Sequence, residues 1–133
     1  DSLAQMILHE LCHLLVEGSE AHKLPDWGLE NDPSKVVHEY ATLRLQAALA
    51  DTVGLREFFA ATTVFRKYYD QLPPSPLEDT HDPAVALART AWQRSRTAPF
   101  AKPLDQALRM TAEIASLLQS IAPPDSIWSN TRK

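Results

Sequence analysis

Prolines cut this chain into lengths that suit helices and little else. Pro33, the Pro73-Pro74-Ser75-Pro76 cluster, Pro83, Pro103 and Pro123-Pro124 bound stretches whose apolar residues recur every three or four positions. Only three glycines are present, and no stretch sustains the apolar–polar alternation of a half-buried strand. The pattern predicts an all-α fold of about five helices. Ser2 with Gln5 three residues on resembles a capping box, opening a helix to about Glu17 that Gly18 stops. Asp32-Pro33 sets the second start, for a helix to about Ala50. Thr52 caps a third over "VGLREFFAATTVFRKYYDQL", which the proline cluster ends. Asp82-Pro83 opens a fourth to about Arg96, and Lys102-Pro103 a fifth that stops before Pro123.

A chain of 133 residues with 44% apolar and 23% charged side chains has enough apolar surface for one core without disulfide staples. Residues 1–122 are expected to form a single domain and 123–133 a loosely attached tail. The first residue is Asp1 rather than Met, and the first helix begins at once, so an upstream segment is expected to be missing. Lys and Arg are scattered in a chain of net charge -4, which gives no footprint for nucleic acid. No apolar run approaches the roughly 20 residues needed to span a bilayer. One cysteine, Cys12, allows no internal disulfide and fits a cytoplasmic setting.

The chemistry concentrates near the front, in His9-Glu10-Leu11-Cys12-His13. Residues four apart share a helix face, so His9 and His13 project side by side as two metal-binding imidazoles would. Glu10 lies about 100° around the helix, where it could act as general base on a metal-activated water without binding the metal. The bland alternative is a chance pattern in a core helix. The rest of that helix is Leu3, Ile7, Leu8, Leu11, Cys12, Leu14, Leu15 and Val16, so it is expected to be largely buried, with one polar stripe. Two histidines and two carboxylates in that stripe are costly if buried without a partner.

Two histidines seldom hold a catalytic metal alone. Glu39 is the best third ligand, because it interrupts an apolar stripe of Val36, Leu43, Ala47 and Ala50 on the second helix. Its bland alternative is an ion pair with Arg44. His38 is the next candidate, although it points elsewhere on that helix. His22 and His81 read as surface or capping residues, and Glu17 as an outer partner of a ligand or a solvated helix end. Cys12 points away from the histidines and reads as core filler. The aromatics Phe58, Phe59, Phe65, Tyr68 and Tyr69 read as core. Trp27 either caps the core or walls a pocket, and Trp128 either packs loosely or meets a partner.

"LHELCHLLVEG", "LPDWG" and "HEYATLRLQAAL" together resemble the elongation factor P hydroxylase family. The matching positions are His9, Glu10 and His13, then Gly18, Asp26-Trp27-Gly28, Glu39, Arg44 and Gln46-Ala47. The likeness covers about the first third of the chain. "LEND" stands where that family has an aromatic stretch, and the family's arginines after the glycine are missing. The resemblance implies a metal-dependent hydroxylase acting on a lysine-derived side chain of a translation factor.

Three functions follow from these residues. In the first, His9, His13 and Glu39 form the two-histidine, one-carboxylate face typical of Fe(II) oxygenases. In the second, the same three hold Zn(II) in a zincin-like metallohydrolase or metallopeptidase with Glu10 as base. In the third the metal is structural in a non-catalytic scaffold, a reading that a fourth ligand such as Glu17 or His38 would favour.

Overall fold

The computed structural model describes residues 3–28, 33–78, 81–126 and Trp128. Among these the fold is all-α: α1 (Leu3–Glu17), α2 (Val36–Asp51), α3 (Arg66–Asp70), α4 (Ala84–Ser95) and α5 (Ala101–Gln119), with no strand. Single 3-10 turns at Ala21–Lys23, Pro25–Gly28 and Pro33–Lys35 join α1 to α2. No helix among the described residues is long and apolar enough to cross a membrane.

The organising element is α2. Every residue from Ala41 to Ala50 is buried, because α1 and α4 pack on it and on each other while the 55–61 segment covers another side. Leu43, Leu45 and Leu49 are fully buried, each contributing about 1.5–3 kcal/mol relative to exposure. A helix enclosed on all sides must satisfy its polar side chains internally. Thr42, Arg44 and Gln46 are the polar residues of that buried run, and each is bonded. Arg44 donates to the Tyr68 hydroxyl at 2.7 Å, to Pro76 O at 2.6 Å and to Asp82 at 3.1 Å. That network ties α2 to the proline-rich connection and to the start of α4.

The long third helix expected over residues 53–72 does not form. The chain instead runs through turns from Thr52 and becomes helical only at Arg66–Asp70. Leu55, Phe58, Phe59, Ala60 and Ala61 are all buried, which no one-faced surface helix allows. Gly54 takes a left-handed φ of +70°, and Phe59 O is taken by Gln46. Tertiary burial overrides the local helical pattern here.

The other starts and stops hold with small changes. Asp82 Oδ1 accepts the Ala84 N–H at 2.8 Å at the head of α4. Gly18, at φ +83°, closes α1 with its N–H on Leu14 O at 3.0 Å. Ser2 and Asp32, the expected caps of the first two helices, lie outside the described residues. The second helix begins at Val36, after the Pro33–Lys35 turn. The expectation that α1 is largely buried also fails: Leu3, Met6, Ile7 and Leu11 are exposed, while Leu8, Cys12, Leu15 and Val16 supply its core face. Trp128 packs on Phe58, with ring centroids 4.9 Å apart.

Candidate metal centre

Three side chains of α1 meet three of α2 in an antiparallel ladder. Glu17 Oε1 accepts from His38 Nδ1 at 2.7 Å, His13 Nδ1 meets Thr42 Oγ1 at 3.1 Å, and His9 Nδ1 meets Gln46 Oε1 at 2.8 Å. Each rung steps four residues down one helix and four up the other, because residues four apart stack on one face. The register of the helix pair therefore fixes the orientation of both motif imidazoles.

The outer bonds also fix their protons. Gln46 donates its amide to Phe59 O at 2.5 Å, so its Oε1 faces His9 and accepts. Thr42 donates to His38 O at 2.9 Å, so its oxygen accepts from His13. Both Nδ1 atoms are thus donors. The neutral imidazoles then carry bare lone pairs on Nε2, the tautomer that metal ligation requires.

Those two lone pairs converge with a carboxylate. His9 Nε2 and His13 Nε2 lie 3.1 Å apart, with Glu39 Oε1 3.3 Å from the first and Oε2 3.0 Å from the second. Nearly perpendicular ring planes let both nitrogens reach the same point. Acceptors this close require a shared cation, either a proton or a metal ion. Ligands about 2.0–2.1 Å from one ion sit roughly 3.3 Å apart in a tetrahedron and about 3.0 Å apart as octahedral neighbours. The triangle has those dimensions, and its chemistry suits a divalent metal.

Electrostatics agree. Burial alone would lift the Glu39 pKa, but hydrogen bonds and charge from His13 and His9 hold it down, to about 2. Burial of His9 favours its neutral form, yet Glu39, Gln46 and the charge of Glu10 outweigh it and raise its pKa. Arg44, the alternative partner for Glu39, is committed to Asp82 and Tyr68 instead. Glu17 and His38 pair with each other, so neither is a fourth ligand in this arrangement.

Glu10 is exposed, and its carboxylate has no hydrogen bond or ion pair among the described residues. It walls a groove of about 430 Å³ with His22, Leu24, Asp26 and Trp27. The opposite wall is a strained turn. Asp26, Trp27 and Gly28 take φ of +48°, +55° and +71°, and Lys35 Nζ clamps Gly28 O at 2.6 Å. Left-handed backbone costs about 1–2 kcal/mol at each non-glycine residue, so the surroundings must hold Trp27 beside His22. Trp27 is a pocket wall.

His22 and His81 are exposed, and Cys12 is fully buried with its thiol pKa pushed up by burial. Thr42 and Gln46 are the residues that sequence reasoning missed as site residues. Their signal was available: polar residues four apart, in a run otherwise nearly all apolar, opposite an H-x3-H face. No protein-family model, curated protein or solved structure matches the chain.

Proposed function

We propose that the protein is a metal-dependent enzyme in which His9, His13 and Glu39 hold Fe(II), and that it hydroxylates a side chain of a protein substrate. The observation that carries the metal is the convergence of the Glu39 carboxylate with two imidazoles whose outer hydrogen bonds turn the lone pairs of their neutral forms, on Nε2, towards it. Three donors on one side of an ion leave its other positions open, as a two-histidine, one-carboxylate oxygenase site requires. Bound iron would supply dioxygen activation. Gln46 and Thr42 hold the imidazoles in their ligating tautomer, Glu39 supplies the negative charge, and the Glu10–Trp27 groove receives the substrate. The choice of a translation factor carrying a lysine-derived side chain, met in the cytoplasm, rests on the resemblance of the His9–Ala47 region alone.

Hydroxylation inserts one atom of dioxygen into a C–H bond. The other leaves as water, with two electrons drawn from an external reductant. Incubating Fe(II)-loaded protein, ascorbate and modified elongation factor P should add one oxygen atom to the substrate, read by mass spectrometry. Substrate left unchanged by fully iron-loaded protein would overturn the reading as a translation-factor hydroxylase.

A second reading is favoured by the Glu10 carboxylate, which lines the groove and has no ion pair among the described residues: a Zn(II) hydrolase in which Glu10 takes a proton from the attacking water. Zinc rather than iron in the purified protein, with hydrolysis lost in Glu10→Gln, would support it. The absence of a strand among the described residues weighs against a peptidase, which aligns its substrate along a sheet edge.

A further inference from the structure

A second pocket, of about 230 Å³, lies beyond the groove and shares His22 with it. Its floor is Arg94 of α4. One guanidinium nitrogen, Nη1, caps α1 by donating to Leu15 O at 2.7 Å and Val16 O at 3.0 Å. Gly18 lets the group lie flat on the backbone, since a Cβ there would sit 3.2 Å from Cζ and Nη2. The cation is therefore held in place before any ligand arrives. Its Nε and Nη2 have no partner among the described residues, and no carboxylate balances its charge. Leu14 and Phe100 form apolar walls, and Ser19, exposed, stands at the rim.

We propose that this pocket binds the carboxylate of a small organic acid, gripped by Nε and Nη2 of Arg94, with a short apolar stem against Leu14 and Phe100. A fixed guanidinium fork presents two parallel donors, the geometry that matches a carboxylate. The volume is below the roughly 300–1,000 Å³ of pockets for drug-sized ligands, which sets the ligand as a small acid. The site uses neither His9, His13 nor Glu39, so it stands apart from the metal reading.

The test is an NMR titration of the Arg94 Nε–H resonance with hexanoate at constant ionic strength. Hexanoate should give a saturable shift. Acetate should bind at least roughly tenfold more weakly, since it lacks the four methylenes that hexanoate lays against Leu14 and Phe100. Hexylammonium and chloride should give no saturable shift. Arg94→Gln should abolish hexanoate binding, followed in both variants through the backbone amide resonances of Gly18 and Ser19 in the pocket lining. Because Arg94 also caps α1, Ser19→Glu at an exposed position serves as a second variant: its carboxylate should occupy the guanidinium and weaken hexanoate at least about tenfold. Circular dichroism checks that each variant is folded. Equal shifts with chloride, equal binding of hexylammonium, or wild-type hexanoate affinity in either folded variant would overturn the proposal.

Discussion

His13 Nδ1 lies 3.1 Å from Thr42 Oγ1, and that hydroxyl, already donating to His38 O, can only accept. One threonine thereby sets the tautomer of one proposed ligand, as Gln46 does for His9 four residues further along.

Thr42→Val keeps the shape and removes the acceptor, so the fold should survive while metal affinity falls about 10–100-fold. Gln46→Leu should lose metal affinity similarly, and it also strands Phe59 O, costing about 1–3 kcal/mol of stability. Chelator competition read beside urea unfolding separates the two effects. Unchanged affinity in Thr42→Val would mean that its bond to His13 is incidental.

The pH dependence of the metal-free protein follows from Glu39 and His9. Glu39 drops from an ordinary 4.5 to about 2, so its stabilisation is complete above pH 4.5 and lost as pH falls towards 2. His9 is raised from 6.5, so its stabilisation is complete below pH 6.5 and lost as pH rises through its elevated value. The site is thus most stabilising without metal between those ordinary values. Metal competes with the proton for the same Nε2 atoms. The gain in Tm on metal addition should therefore grow from about pH 6 to about pH 8, measured by calorimetry. A gain that shrinks over that interval would place the metal elsewhere.

Gly18 and Gly54 make a matched pair for the Arg94 contact. Both have left-handed φ, but a Cβ at Gly54 meets nothing within 4 Å. Gly54→Ala should carry only the backbone strain, about 1–2 kcal/mol, and Gly18→Ala should cost more because it displaces a guanidinium that caps α1. Equal losses in denaturant unfolding would show that Arg94 yields without cost.

Much of this arrangement was legible in the residues themselves. The i, i+4 spacing put His9 and His13 on one face, and Glu39 stood out as a carboxylate in an apolar stripe. What the spacing could not give was the register of α1 against α2, because that depends on packing between helices and not on either alone. Hence His38, which reads as pointing away, turns out to meet Glu17, and Gln46 reads as a motif letter when it is a clamp on His9. The segment 53–72 misleads for a related reason. Its helical periodicity is real, but Phe58 and Phe59 are both drawn into the core and Phe59 O is claimed by another helix.

The central claim is that His9, His13 and Glu39 bind one divalent metal. Its most direct test is the metal content of protein purified without chelator or affinity-tag metal, beside Glu39→Ala. We expect about one equivalent of iron in the wild type, lost in the variant while the helical spectrum is retained. No stoichiometric metal in the wild type even after anaerobic supplementation with Fe(II) and with Zn(II), or equal metal in both proteins, would contradict the account.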